Sequence, residues 1–305
     1  MSAYRDVAII GAGPAGIAAA VYLKRVGVNP LLIERDRVGG LLQNANLVEN
    51  YPGFPDGIRG GDLVKLLEAH LRRWRIKVMM TEVKRITKDG GHYLLHTARG
   101  TFSCRYLVVA TGTRPRSIDL PGLDSVPKRK VFYEVADVSP EFDRRRFIVI
   151  GGGDAAFDYS LSLASRGCHT DIVFKSNRPR CIPLLLARVR KEKMVRLFPG
   201  STPESVSSFR SSIALKCRGS RGMFELQGDA VLIACGRDPE MGILPGSRRW
   251  REEATGNEEK RRGLFIAGDV ERGIHRQVGI AVGDGIRAAM MIADRLKEDS
   301  DEDIG

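Results

Sequence analysis

At 305 residues, with 43% hydrophobic and 28% charged positions, the chain is long enough for two domains with sizeable cores, and its composition excludes a disordered or fibrous protein. The longest apolar stretch, Val7 to Leu23, is interrupted by Gly11, Gly13, Pro14 and Gly16, which excludes a spanning helix or the core of a secretory leader; with nothing leader-like before Tyr4, the expectation is a cytoplasmic protein with no membrane insertion. The net charge of +12 gathers in Arg72-Arg73-Trp74-Arg75, Arg144-Arg145-Arg146, Arg188 to Lys193 and Arg248 to Arg251; no nucleic-acid motif accompanies it, which leaves a solvated basic surface or a steering field for an acidic partner.

The chain opens with a β-branched, apolar run, Asp6 to Ile10, that reads as a strand. It leads into Gly11-Ala12-Gly13-Pro14-Ala15-Gly16 and a helix through about Val26. A second strand, Asn29 to Ile33, ends in Glu34. Gly61 to Trp74 has helical spacing, with Leu63, Leu66, Leu67 and Leu71 on one face. Lys77 to Phe102 alternates in short runs and reads as sheet, and Tyr106 to Ala110 is a buried strand ending at Thr111-Gly112. The opening pattern then returns: strand Arg146 to Ile150, loop Gly151-Gly152-Gly153-Asp154-Ala155-Ala156, a helix to about Arg166, and strand Thr170 to Phe174 ending in Lys175. Ala230 to Ala234 and Gly263 to Ala267 read as the remaining strands, and the polar segment Gly242 to Arg262 as loop. Gln277 to Leu296 is a helix rich in small residues, and the acidic tail Lys297 to Gly305 is expected to fray. Two strand–glycine loop–helix units predict an α/β chain of two Rossmann-like dinucleotide-binding domains, one inserted in the other.

The first loop has its residue types for physical reasons. Gly11 permits the tight turn, Gly13 lets backbone approach a pyrophosphate, and Gly16 lets helix and strand pack closely. The helix N-terminus then offers free N–H groups and a partial positive charge. Glu34, ending the next strand, is placed to accept ribose hydroxyls. In the second unit, Gly151, Gly153 and Ala156 repeat the spacing, but the strand ends in Lys175. A carboxylate would repel the 2′-phosphate of NADP, whereas Lys175, Arg178 and Arg180 either bind it or face solvent; the charge favours NADPH, with NADH as the alternative donor.

The five cysteines, Cys104, Cys168, Cys181, Cys217 and Cys235, are scattered; their spacing excludes a vicinal redox pair and gives no zinc or iron–sulfur pattern, so no metal site is expected. An odd, scattered count suits a reducing compartment, with most thiols acting as small buried apolar groups.

The motifs occur in a family's order: Gly11 to Gly16 with Glu34; Gly39-Gly40; Val48-Glu49-Asn50-Tyr51-Pro52-Gly53; Ala110-Thr111-Gly112-Thr113 with Pro115, Pro121 and Gly122; Gly151 to Ala156; and Gly268-Asp269-Val270 with Arg276-Gln277. Over nearly its whole length the chain resembles the low-molecular-weight thioredoxin reductases, flavoproteins with two dinucleotide-binding domains. The resemblance implies an FAD domain of residues 1–115 and 242–305 and an inserted NAD(P) domain of residues 116–241, each a three-layer ββα sandwich. It implies FAD on the first loop, including Pro14 and Ala15, with Arg35, Leu41, Val83 and Ala110 to Gly112 beside it. Asp269, after Gly268, would hold a ribityl hydroxyl and Asn50 would lie near the isoalloxazine. Arg276, Gln277 and Val278 would open the last helix beneath the flavin pyrimidine edge, where a helix N-terminus suits developing negative charge. For the nicotinamide nucleotide it implies Gly151, Gly153, Asp154, Ala155, Ala156, Gly236 and Arg237 beside the three basic residues.

The resemblance breaks twice. Disulfide-reducing members carry Cys-x-x-Cys-Asp after the tyrosine, whereas Tyr133 here is followed by Glu134-Val135-Ala136-Asp137, and carboxylates cannot form a mixed disulfide. The family's His-Arg-Arg-x-x-x-Arg fingerprint is replaced by Lys175 to Arg180. Glu134 and Asp137 are then either proton-shuttling acids or hydrogen-bonding hinge residues. The leading expectation is an FAD-dependent NAD(P)H oxidoreductase of thioredoxin reductase architecture without an internal redox disulfide, similar to the ferredoxin–NADP reductases of that superfamily. It would pass hydride from NAD(P)H to FAD and electrons to an acidic carrier such as ferredoxin or flavodoxin. The alternatives are a reductase of an external disulfide and a redox-inactive FAD-binding regulatory protein; a deazaflavin is a further candidate donor. The family also implies a homodimer.

Overall fold

The computed structural model describes residues 3–209, 212–244 and 263–302. The elements run β1 (Ala3–Ile10), α1 (Pro14–Arg25), β2 (Leu31–Glu34), α2 (Gly60–Arg73), β3 (Val78–Met80), β4 (Val83–Asp89), β5 (His92–Thr97), β6 (Gly100–Val109) and β7 (Thr113–Pro115). Then come β8 (Val131–Phe132), β9 (Arg146–Ile150), α3 (Asp154–Ser165), β10 (His169–Val173), α4 (Pro183–Lys191), β11 (Val195–Phe198), β12 (Thr202–Phe209), β13 (Ser212–Gly219), β14 (Gly222–Gly228) and β15 (Ala230–Ile233). β16 (Arg237–Pro239), β17 (Leu264–Ile266) and α5 (Val278–Glu302) complete the described chain. The molecule divides into two compact units, residues 1–43, 48–114 and 238–305 forming one and residues 44–47 and 115–237 the other. Among the described residues no helix is long and apolar enough to cross a membrane.

In the first unit the sheet order is β3-β2-β1-β6-β5-β4, with β17 also on β6. β6 serves three partners: Phe102 to Val109 pair parallel with β1, Gly100 to Cys104 pair antiparallel with β5, and Leu107 to Val109 pair parallel with β17. β1 reads as a continuous apolar run because both of its faces are covered. Val7 and Ile9 pack with Ala19, Ala20 and Leu23 of α1 and Ala289 and Ile292 of α5, while Ala8 and Ile10 pack with Ile86, Tyr93 and Leu95.

The second unit repeats the logic. A parallel sheet of order β11-β10-β9-β15-β8 lies between two covers. Phe147 and Val149 of β9 pack against Phe157 and Leu163 of α3 and Val189 of α4, and Ile148 and Ile150 against Val206, Ile213, Leu215 and Leu226 of the antiparallel β12-β13-β14 sheet. This is the expected ββα layering.

Three expectations need correction. Leu66 is exposed; Val64 takes its place on the buried face of α2 with Leu63 and Leu71, because the stripe that α2 buries meets the side-chain-free Gly39 at Val64 and the α1 core at Leu71. The last helix runs to Glu302 instead of ending at Leu296, since Asp299 accepts a hydrogen bond from the Tyr106 hydroxyl (2.8 Å) and pairs with Arg105 (2.7 Å). Between Cys181 and Gly228, where no element is expected from the sequence, α4 and four strands lie. Residues 245–262 of the expected polar loop, including the Arg248 to Arg251 cluster, and tail residues 303–305 lie outside the described residues.

Candidate functional site

The first glycine loop connects β1 to α1. Gly11 has φ +105, and a Cβ there would sit 2.3 Å from the Ala110 carbonyl oxygen; one on Gly16 would sit 1.8 Å from the Gly11 oxygen. A Cβ on Gly13 meets nothing within 4 Å, so the loop is open on that side. Gly13 caps α1 without a side-chain hydrogen bond and Pro14 takes the first turn, leaving backbone N–H groups for an anion. Gly39 donates its N–H to the Ala12 oxygen (2.8 Å), and the Cβ position of Gly40 is 3.6 Å from the Gly13 Cα. The second glycine pair therefore borders the first loop, with Leu41 half-buried in the 3-10 turn that follows.

The Glu34 carboxylate accepts from Ala12 N (2.7 Å) and Asp36 N (2.9 Å), which fixes it beside the loop while lone pairs remain for further donors. Gly11, Glu34, Arg35, Val83 and Thr111 line one cavity of about 50 Å³, so expected FAD residues from four separate segments converge. Glu240, which the sequence reading does not single out, closes that cavity. Its carbonyl accepts from Thr111 Oγ1 (2.6 Å), its N–H donates to the Gly112 oxygen (3.0 Å), and its carboxylate lies 3.5 Å from Arg35.

A second group of expected residues meets at the start of α5. Asn50 Nδ2 donates to Gln277 Oε1 at 2.7 Å, across 227 residues of sequence. Val278 opens the helix, and Ala281 N returns to the Gln277 oxygen (3.0 Å). Gly268 and Gly285 bring α5 against the loop: their Cβ positions lie 2.9 Å from Ala15 Cβ and 2.0 Å from the Ala15 oxygen. Asp284 accepts from Gly268 N (3.2 Å) and from Arg272 Nε (2.8 Å), and so holds the Gly268-Asp269 turn. Arg272 and Asp284 are supporting residues that only the three-dimensional pairing exposes. One guanidinium nitrogen of Arg276 is shielded from solvent and has no hydrogen-bond partner among the described residues. A buried donor without an acceptor costs about 1–3 kcal/mol, so this one calls for an acceptor from a bound group. An open glycine cradle, a capless helix start, a held carboxylate and this donor are a donor set that FAD fits.

In the second unit β9 is the switch point, with β10 and β11 on one side and β15 and β8 on the other. Gly151 has φ +148, and its Cβ position is 2.3 Å from the Ala234 oxygen. Gly153 caps α3 without a side-chain bond, Asp154 and Ala155 are exposed on its first turn, and Ala156 is buried. Arg180 N donates to the Gly152 oxygen (2.7 Å), which lays the basic segment on the glycine loop; Lys175, Arg178 and Arg180 are all exposed there. Asp154 Oδ1 accepts from Ile182 N (2.8 Å) and so serves the loop itself.

After Tyr133, Glu134 precedes a 3-10 turn of Val135 to Asp137, whose Ala136 N–H donates to Asn44 Oδ1 (2.9 Å). Glu134 is ion-paired with Arg237 and accepts from the Tyr159 hydroxyl (3.0 Å). The pair is shielded, the Glu134 side chain 14% and the Arg237 side chain 16% exposed. Burial, and next the Glu134 charge, push the Tyr159 phenol well above its ordinary range. All five cysteines are free thiols. Burial pushes Cys104 up to about 12 and Cys217 to about 11, and raises Cys235, whose Sγ contacts the Ile150 oxygen at 3.4 Å.

The family model described as pyridine nucleotide-disulphide oxidoreductase matches residues 5–285. A thioredoxin reductase of Treponema pallidum is 31% identical over 293 residues, covering 93% of this chain and 94% of its own. One from Bacillus subtilis is 28% identical over 309 residues, covering 96% and 95%. The crystal structure of Lactococcus lactis thioredoxin reductase in its FR conformation superposes with a TM-score of 0.83 at 28% identity, covering 96% of this chain and 99% of that one.

Proposed function

The chain belongs to the pyridine nucleotide-disulphide oxidoreductase family, and on that premise we propose that it uses FAD and NADPH to deliver electrons to an acceptor without passing them through a dithiol of its own. The observation that carries this reading is the fate of the first cysteine position. Glu134 stands there, tied to Arg237 and Tyr159, and a carboxylate so held is built into the scaffold. Bound FAD would supply hydride acceptance from the nicotinamide and release of electrons singly or in pairs. The protein residues bind and orient. The N-terminus of α1 meets the pyrophosphate, Glu34 the adenosine ribose, and Arg276 with the start of α5 the pyrimidine edge. In the second unit the N-terminus of α3 takes the nicotinamide nucleotide, and Lys175, Arg178 and Arg180 its 2′-phosphate.

The acceptor we favour is an acidic one-electron carrier of ferredoxin or flavodoxin type, because a +12 chain steers such a partner. Five scattered free cysteines suit a reducing compartment, so we propose that the reaction runs in the cytoplasm. Anaerobic addition of NADPH or NADH to the flavoprotein, followed by ferredoxin, flavodoxin or thioredoxin, tests this. NADPH should bleach the flavin and the acidic carriers should reoxidise it, whereas efficient thioredoxin reduction would sink the reading. The curated relatives' name favours the second reading, direct reduction of an external disulfide; turnover of a disulfide after all five cysteines are changed to serine would establish it. We also propose a homodimer. Ile280, Ile286 and Met290 leave α5 with an exposed apolar face, and light scattering should give twice the 33.6 kDa chain mass.

A further inference from the structure

In the second unit the C-terminal ends of three neighbouring parallel strands meet at the switch point. The glycine loop leaves β9, Lys175 lies just past the end of β10 on one side, and Cys235-Gly236-Arg237 leaves β15 on the other. In a crevice of this kind the pyrophosphate sits at the helix N-terminus and the adenosine half lies over the strand that follows the helix. The nicotinamide half then extends over the opposite side, toward β15 and Arg237. The Arg237 loop is firmly seated: Cys235 Sγ contacts the Ile150 oxygen (3.4 Å), and Arg116 N donates to the Gly236 oxygen (3.0 Å). Glu134, just beyond β8, reaches across the end of β15 to the guanidinium, and Tyr159 of α3 holds the second carboxylate oxygen.

We propose that Glu134 is a positioning residue for the nicotinamide nucleotide, acting through Arg237, which it holds on the nicotinamide side of the switch point with Tyr159 as its brace. The residue at the lost cysteine position thus contributes to donor binding. This rests on reading the second unit as the NADPH-binding unit. A shielded guanidinium on a long, flexible stem would sample many rotamers; a carboxylate braced by a hydroxyl selects one, so less ordering is needed when the ligand arrives.

The test separates the two halves of the nucleotide. Binding of NADPH, titrated anaerobically into the dithionite-reduced holoprotein so that no hydride is transferred, and of 2′,5′-ADP is measured by calorimetry for wild type, Glu134→Gln, Glu134→Asp, Arg237→Gln and Glu134→Gln/Arg237→Gln. Glu134→Gln should weaken NADPH about tenfold, as expected for one charge-assisted hydrogen bond, and leave 2′,5′-ADP unchanged. Glu134→Asp should recover most of the loss. The double variant should bind no worse than Arg237→Gln, because Glu134 acts only through its partner. Equal weakening of both ligands, no weakening of either, or additive losses would overturn the proposal. If Glu134→Gln does not fold, Tyr159→Phe is read by the same two ligands. Failure of wild type to bind NADPH would instead overturn the reading of the unit.

Discussion

Glu134, Tyr159 and Arg237 come from three elements, and Glu134 and Arg237 are 103 residues apart, so no spacing rule links them. At the same scale, three tyrosine phenols are raised: Tyr4 by burial and then Asp6, and Tyr106 and Tyr159 more strongly. Burial and then Asp299 push Tyr106 up to about 12, and burial and then Glu134 raise Tyr159 further. For both, the folded value lies above the unfolded one near 10. The stability they contribute is therefore fully present below pH 10 and is lost as pH rises through the folded value. An absorbance titration at 295 nm should show these two ionising after the exposed tyrosines. Tyr159→Phe should leave the native signal below about pH 11 unchanged while the denatured total falls by one phenol. A Tyr159 that ionises with the exposed set would contradict its burial against Glu134.

At the scale of elements, the contact between α1 and α5 depends on a missing side chain. A Cβ on Gly285 would lie 2.0 Å from the Ala15 backbone oxygen, while one on Gly283, two residues earlier in the same helix, meets nothing within 4 Å. Gly285→Ala should therefore cost about 1–3 kcal/mol, or roughly 3–10 °C in thermal midpoint, and loosen FAD. Gly283→Ala should be neutral or stabilising by up to about 1 kcal/mol, through helix propensity alone. Equal midpoints for the two variants would refute the close approach. The elements around both glycine loops are legible in the sequence because each loop enforces a strand before it and a helix after it. Legibility fails between Cys181 and Gly228. There β12 and β14 bury only part of one face, and α4 leaves Ile182 and Leu184 exposed at its start, so their periodicities are not clean; only β13 alternates, burying Ile213, Leu215 and Cys217. Of the candidate site, the cradles and Glu34 are legible from spacing. Glu240, Arg272 and Asp284 are not, because what places them is a backbone carbonyl, a turn and a partner reached only through the fold.

At the scale of the whole molecule, charge makes the clearest statement. A chain of +12 reducing an acidic carrier should do so with an apparent second-order rate that falls about tenfold or more as salt rises from about 10 to 200 mM, while flavin reduction by NADPH falls far less. Stopped-flow traces at a series of ionic strengths separate the two steps. A carrier step insensitive to salt would remove the basic surface from any part in partner choice.

The five thiols, three of them fully buried and two half-covered with raised pKa values, bear on how the protein would be poisoned. Electrophiles and soft metals disable an enzyme by capturing an accessible thiolate, and this chain presents scarcely any at neutral pH. Iodoacetamide or an organic arsenical, applied after reduction by NADPH, should leave acceptor turnover essentially intact. On the proposed dithiol-free route, a cell carrying this protein would keep one flavin-driven electron path open under the thiol stress that silences dithiol reductases.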